Sequence, residues 1–311
     1  QAAAPDSTVN TLTLNTASRV TVETGAKLKV ANALTVPEDG MTLGGAGTLQ
    51  AHNTLRLNGP LAVTDSTVVL EGVAVELGAD LTVGGSGSLK TDSATEVTLL
   101  DNATLSVPES VVLKSLAVDS HTLTLDNVTG LTVQETFALN GSAGLQSGLA
   151  DLSFHGAVSV SNGGLQREGG DLTLNAGGSF ANGLNLDNAT LTLGGDLALS
   201  GAVRTNADTT LSLGGNALSF SVVDLRTDGS LDLSGTIFDN QTTLSLRGDT
   251  PLTHDAPFVL RSLALAGRTL TLQTTTTDLT VLDALVLDNA SDRLVKNDAD
   301  LILPQPLQLS H

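Results

Sequence analysis

The chain has no cysteine, tryptophan or tyrosine, and only six of its 311 residues are phenylalanine. The absence of cysteine excludes disulfides and thiolate metal sites. The scarcity of aromatic residues removes the large wedges of a mixed core and leaves mainly leucine, valine and alanine for the interior. Such a composition is typical of uniform, stacked layers.

Basic residues are also scarce, with 14 Lys and Arg against 33 Asp and Glu and a formal net charge of −19. Nucleic acids and anionic membranes both require a basic face, so neither is an expected partner. No apolar run reaches the length of a membrane-spanning helix, and membrane insertion is not expected. The acidic residues are dispersed, which favours a role in solubility.

The chain is rich in a tripeptide in which Thr or Ser separates two apolar residues. Alternation with a period of two predicts a β-strand with one buried face. Gly, Asn, Asp or Ser ends each run, and no segment has the period of an amphipathic helix. The sequence therefore predicts an all-β protein. The tripeptide occurs at 12–14, 20–22, 34–36, 81–83, 123–125, 172–174, 211–213, 244–246, 270–272 and 279–281, among other places.

These strands belong to an internal repeat. "MTLGGAGTLQ" at Met41–Gln50 recurs as "LTVGGSGSLK" at Leu81–Lys90, with "LAVTDSTVVL" at Leu61–Leu70 in the same frame between them. "VTVETGAKLKV" at Val20–Val30 fits with a slip of one residue, and Thr190–Ser200 resembles Thr210–Phe220.

A period near 20 residues is too short for a propeller blade, and a sandwich does not require turns that recur in register. The repeat predicts a right-handed parallel β-solenoid (β-helix) of about 15 coils of roughly 20 residues, a coil being one turn of the winding. We expect residues 1–10 to form an N-terminal extension or cap, residues 11–298 the solenoid rod, and residues 299–311 a C-terminal strand or tail.

Short coils of the form "LTVxGxGxL", rich in Leu, Val, Thr, Asn and Gly, resemble the β-helical regions of bacterial secreted adhesins. Filamentous-haemagglutinin-type exoproteins and autotransporter passenger domains are the comparison. The resemblance covers nearly the whole chain and rests on pattern and composition. It implies secretion, a bacterial source and a role at the cell surface or in a matrix, and it carries over no catalytic residue.

The glycine-rich loop in "LTVGGSGSLK" does not match a ligand-binding motif. A dinucleotide fingerprint needs a further glycine and a following helix, whereas Lys90 and another strand follow here. A calcium-binding β-roll places Asp where this chain has Leu89 and Leu49. The loop is predicted to be a corner of a coil, where glycine permits a tight turn.

The histidines lack metal-ligand spacing and are predicted to be solvated turn residues, so no metal or other cofactor is expected. They are His52, His121, His155, His254 and His311.

Carboxylates are the one enzymatic alternative, because stacked coils can bring Asp side chains onto one face, as carbohydrate-active enzymes require. The candidates are Asp224, Asp228, Asp232 and Asp239. The absence of Trp and Tyr argues against a carbohydrate-active enzyme, because such enzymes usually hold sugar rings on aromatic platforms.

A second alternative is ice or mineral binding by a threonine array. The T-L-T-L segments at Thr11, Thr122, Thr190 and Thr269 do not share the repeat spacing, and threonine is a good outward β-residue.

The ends of a solenoid carry unpaired strand edges, which natural proteins normally blunt. No capping helix is predicted here, and the leucines of "LILPQPLQLSH" still alternate around two prolines. We expect an assembly interface formed by the terminal leucines, through which copies stack head to tail. These leucines are Leu12, Leu14, Leu301, Leu303, Leu307 and Leu309.

The sequence thus predicts a non-enzymatic, secreted or cell-surface structural protein that forms a fibre, matrix filament or adhesin shaft. Its expected partner is itself or another surface or matrix component. One alternative is an adhesin domain that binds a glycan through a coil face or loop. The other is a polysaccharide-active β-helix enzyme.

Overall fold

The computed structural model describes residues 6–160, 164–273, 276–297 and 299–305, with the backbone alone at residues 221 and 222. The described residues contain no helix, and their strands pair in parallel as a β-solenoid of about 14 coils. The predicted fold class is confirmed, while right-handed winding stays a prediction. The chain divides into two compact units, Gln1–Ala157 and Val158–His311.

In unit 1, each complete coil covers three faces, with three short strands or with one short strand and one long strand that covers two faces. One coil contains β4, β5 and β6, and the next contains β7, β8 and β9, stacked in register on the first. The described strands of unit 1 are β1 (Ser7–Thr13), β2 (Ser18–Thr21), β3 (Lys27–Val36), β4 (Met41–Gly44), β5 (Thr48–Ala51), β6 (Thr54–Leu57), β7 (Leu61–Thr64), β8 (Thr67–Val69), β9 (Ala74–Leu77), β10 (Leu81–Gly84), β11 (Ser88–Lys90), β12 (Glu96–Leu99), β13 (Ala103–Ser106), β14 (Ser110–Asp119), β15 (Thr122–Asp126), β16 (Gly130–Asn140), β17 (Gly144–Gln146) and β18 (Asp151–Phe154).

Unit 2 has the same three-faced construction. Its long strands β25 and β27 each cover two faces, and they pair in parallel along both. The described strands of unit 2 are β19 (Val158–Val160), β20 (Gly164–Gln166), β21 (Leu172–Leu174), β22 (Gly178–Phe180), β23 (Leu184–Asn185), β24 (Thr190–Leu193), β25 (Leu197–Asn206), β26 (Thr210–Ser212), β27 (Leu218–Asp228), β28 (Leu231–Asp232), β29 (Thr236–Phe238), β30 (Thr243–Leu246), β31 (Thr250–Thr253), β32 (Phe258–Ala264), β33 (Thr269–Leu272), β34 (Leu279–Val286), β35 (Arg293–Lys296) and β36 (Leu301–Ile302).

The inward residues of successive coils stack as ladders. On one face of unit 1, a ladder runs from Leu12 through Leu34 and Leu55 to Val75, each residue paired in register with the next. Leu34 is 1% exposed and Leu55 is fully buried. Thr and other polar residues alternate outward between these apolar positions, as the period-two pattern predicts.

The few aromatic residues also stack, which the composition did not predict. The rings of Phe137 and Phe154 are stacked in unit 1, with their centroids 4.3 Å apart. In unit 2, Phe220, Phe238 and Phe258 form a column, with ring centroids 5.0 Å and 5.4 Å apart.

His254 packs against this column, 4.7 Å from the ring of Phe258, and is only 2% exposed. The prediction that every histidine is a solvated turn residue is therefore wrong for His254. Its Nε2 contacts the carbonyl of Thr236 at 3.3 Å, and the N–H of Ala256 donates to its Nδ1 at 3.2 Å, so both ring nitrogens of this buried side chain have partners. His311 lies outside the described residues.

The repeat frame inferred from the sequence is confirmed in the middle of unit 1, where Met41, Leu61 and Leu81 pair in register. The predicted one-residue slip of Val20–Val30 is confirmed at Leu28 and wrong at Val20. Val20 pairs with Leu43, whereas Leu28 pairs with Leu49. The tight turn from Glu23 to Ala26 accommodates two residues more than the corresponding turn of the next coil.

The predicted glycine-rich corner is a corner in the structure. Gly45, Asp65 and Gly85 occupy it in successive coils, and all three have positive φ angles, 91°, 64° and 64°. The boundaries predicted at residues 10 and 299 stay predictions. Strand β1 begins at Ser7, and β36 ends at Ile302.

Candidate functional site: the end strands

The first strand of unit 1 is an end strand, because among the described residues β1 has β3 as its strand partner on one side alone. Leu12 occupies the end position of the ladder and is half-buried, although its partner Leu34 is buried. Leu14 is also half-buried, and its N–H donates to the carbonyl of Thr35 at 3.4 Å. These two leucines lose less contact with water than leucines inside the stack.

The last described strand of unit 2 has the same character. Leu301 pairs in register with the fully buried Leu279, but is itself half-buried. Leu303 follows the strand and is also half-buried. Leu307 and Leu309 of the predicted interface lie outside the described residues.

The two ends of the sequence differ in charge. Residues 1–36 contain three basic and two acidic residues, a net charge of +1. Residues 276–311 contain two basic and six acidic residues, a net charge of −4. Opposite net charges favour contact between unlike ends over contact between like ends.

Three of the four aspartates considered as catalytic candidates accept hydrogen bonds from residues two or three positions later in the chain. Asp224 accepts hydrogen bonds from Arg226 at 2.6 and 2.8 Å, and Asp232 accepts from Ser234 two residues later. Asp239 accepts from the backbone of Gln241 and the hydroxyl of Thr242. Asp228 ends β27 beside Gly248 of the next coil. Asp224 and Asp228 thus lie in β27, Asp232 ends β28, and Asp239 follows β29.

A different role for acidic residues emerges at the corners, which sequence reasoning missed. An Asp or Asn side chain there accepts a hydrogen bond from a backbone N–H of the adjacent coil. Asp65 accepts from Ser86 at 2.8 Å, Asp92 from Gly72 at 2.9 Å, and Asp255 from Gly235 at 2.9 Å. The same contact recurs with Asp80, Asn102, Asp171, Asp196, Asp249 and Asp278 as acceptors.

These contacts stabilise the charged carboxylates. The N–H and hydroxyl of Ser86 lower the pKa of Asp65, and the N–H of Gly235 lowers the pKa of Asp255. Burial acts to raise the pKa of Asp92, but its hydrogen bonds from Gly72, Ala94 and Thr95 outweigh this effect and lower the pKa. The corner carboxylates therefore join neighbouring coils.

Within the described ranges, no three His, Asp or Glu side chains are grouped as they would be around a metal ion. The same residues include no helix suited to crossing a membrane. Comparison of the chain with protein-family models, curated proteins and solved structures finds no match.

Proposed function

We propose that this protein is a non-enzymatic, extracellular structural protein, a β-solenoid subunit of a surface fibre, matrix filament or adhesin shaft. Copies join head to tail through β1 of one subunit and the last strands, β34 to β36, of the next. The resemblance of the coils to secreted bacterial adhesins supports the location outside the cell.

The observation that carries this proposal is the half-buried end of the leucine ladder. Leu12 and Leu301 stack on a buried residue on one side and retain exposed apolar surface on the other. A second copy offers the matching surface together with free backbone groups for strand pairing. Because the two ends differ, the contact is heterologous and extends into a filament.

Electron microscopy and analytical ultracentrifugation of the purified chain at increasing concentration test this proposal. The wild-type protein is expected to form filaments. Leu12→Asp and Leu301→Asp are expected to remain monomeric, because each places a carboxylate in the apolar contact. The matched control is Leu149→Asp, at a leucine that is 72% exposed in the turn between β17 and β18; this variant is expected to assemble normally.

Circular dichroism first establishes that each variant is folded. A wild-type chain that stays monomeric at high concentration contradicts head-to-tail assembly. Equal loss of assembly in Leu149→Asp assigns the association to general surface hydrophobicity instead.

The enzymatic alternative has its own test. A polysaccharide lyase assay on the wild type, Asp224→Ala and Asp232→Ala is expected to give no activity in any of the three. Activity that either substitution abolishes contradicts the non-enzymatic assignment.

A further inference from the structure

A surface cleft in unit 2 is lined by two arginines. It has a volume of about 380 Å³, which lies within the range of small-molecule sites. Strands β20, β23 and β25 form its walls, with Arg167, Arg204 and small or amide side chains along them. In a chain with a net charge of −19, this is a local concentration of positive charge.

Arg204 differs from the arginine next to it in one respect. Arg204 and Arg226 pair in register on β25 and β27, and both are exposed. Nε and Nη2 of Arg226 donate to Asp224 two residues earlier, at 2.8 and 2.6 Å. The residue paired with Asp224 on β25 is Ala202, so the strand of Arg204 lacks that carboxylate.

The preceding coil does not supply the missing carboxylate. Gly183 lies against the backbone of Ala202, and both residues line the cleft. Asp187, at the end of that coil, is paired with Arg247 at 3.0 Å. Among the described residues, Arg204 therefore has no acidic partner comparable to Asp224.

Arg167 adds a second positive charge from inside the wall. It is 4% exposed, and its Nη2 donates to the carbonyls of Gly169 and Gly170 at 3.0 and 2.6 Å. These two bonds hold the guanidinium in place, and arginine stays charged at any physiological pH. A charge held in a partly desolvated wall attracts an anion more strongly than one in open water.

We infer that this cleft binds a carboxylated saccharide, with a uronate carboxylate taking the place beside Arg204 that Asp224 takes beside Arg226. The amide of Asn185 is fixed in orientation, because it donates to the carbonyl of Arg167 and accepts from the N–H of Asp187. Asn182 and Asn185 line the cleft and suit sugar hydroxyls, whereas no aromatic residue lines it. Recognition therefore depends on charge and hydrogen bonds rather than stacking, and it does not rest on head-to-tail assembly.

Calorimetric titration of the 311-residue chain tests this inference with three probes. The β-1,4-linked tetramannuronate carries a carboxylate on every ring, mannotetraose is its neutral counterpart, and acetate is the carboxylate alone. Tetramannuronate is expected to bind. Mannotetraose is expected to bind about tenfold more weakly or not at all, because it lacks the charged hydrogen-bonded pair, which is worth about a factor of ten or more. Acetate is expected to bind about tenfold more weakly or not at all, because it lacks the sugar hydroxyls that the cleft amides contact.

Two substitutions change the charge of the cleft in different ways. Arg204→Gln removes the cation, and Ala202→Asp supplies the carboxylate that the neighbouring coil already has. Each is expected to weaken tetramannuronate binding about tenfold. The control is Arg261→Gln, which makes the same change in net charge at an arginine paired with Asp283, and it is expected to bind normally.

Thermal unfolding verifies that the variants are folded. The two substituted cleft residues, Ala202 and Arg204, are both exposed. Binding that is unchanged in Arg204→Gln and Ala202→Asp overturns the assignment. Equal weakening in Arg261→Gln identifies a nonspecific charge effect and also overturns it. Equal affinity for mannotetraose or acetate contradicts a saccharide carboxylate as the recognised group.

Discussion

Individual aspartates connect one coil to the next. Asp65, Asp92 and Asp255 each accept a backbone N–H from a residue about one coil away in sequence. Their pKa values are lowered because the hydrogen bonds favour the charged form. Acidity in this chain therefore contributes to the folded state.

Acid is expected to destabilise the protein through these groups. Since the folded pKa lies below the unfolded value of about 3.9, the stabilisation is present above that pH and is lost as pH falls through the folded pKa. The triple variant Asp65→Asn, Asp92→Asn, Asp255→Asn keeps the acceptor oxygens but cannot titrate. Between pH 7 and pH 3, its melting temperature is expected to fall less than that of the wild type, by about 2–4 °C.

The control makes the same charge change at Asp39, Asp208 and Asp288, which are exposed. It is expected to retain the acid sensitivity of the wild type. Equal acid sensitivity in the wild type and the corner variant excludes these hydrogen bonds as its source.

The sequence identified which side chains point inward but not which polar groups meet. Alternation alone places Leu34 and Leu55 in the core, where they lie. The contact of Asp65 with Ser86 requires the register between two coils to within one residue, because a shift of one moves every partner. The difference between Ala202 and Asp224 likewise becomes visible only once β25 and β27 are aligned. His254 was missed because its aromatic neighbours come from other strands.

At the scale of the element, the corner determines where glycine is required. Gly84 and Gly85 are adjacent in "LTVGGSGSLK" but differ in surroundings. Gly85 has φ +64°, and a Cβ there would lie 2.4 Å from Oδ1 of Asp65, whereas nothing lies within 4 Å of a Cβ at Gly84. Asp65 shows that the left-handed conformation tolerates a side chain one coil earlier, where φ is 64°.

Alanine substitutions at these two glycines are expected to have different effects on the free energy of unfolding. Gly85→Ala should lower the free energy of unfolding by about 1 kcal/mol or more, because alanine is strained at positive φ. It also displaces the Asp65 carboxylate. Gly84→Ala should change stability by less than about 0.5 kcal/mol or increase it, because alanine restricts the unfolded chain. Chemical denaturation measures both, and equal effects at the two positions contradict the corner geometry.

The register between coils could be predicted from the sequence where turn lengths are constant, and the prediction failed where they change. Met41, Leu61 and Leu81 align in the structure as in the sequence. The turn Glu23–Ala26 contains two extra residues. Val20, before the turn, therefore pairs with Leu43, whereas Leu28, after the turn, pairs with Leu49 at the separation of one coil. A turn points to solvent and absorbs extra residues without disturbing the ladder, so the alternating pattern contains no signal of its length.

At the scale of the whole molecule, stability in a solenoid depends on contacts with both neighbouring coils. Strands β1 and β36 each have a described strand partner on one side alone, and their leucines are half-buried. Strands such as β6 and β9 pair with a strand on each side. The end strands are therefore expected to open most readily in a single subunit.

Hydrogen exchange resolved by peptide tests this difference and the mode of assembly together. In the monomeric Leu301→Asp variant, amides of Ser7–Thr13 should exchange faster than those of Thr54–Leu57. In assembled wild-type protein, Ser7–Thr13, Arg293–Lys296 and Leu301–Ile302 should gain protection, because pairing between subunits supplies the missing strand partner. Protection gained instead by outward residues of central coils indicates sideways association and contradicts joining through the end strands.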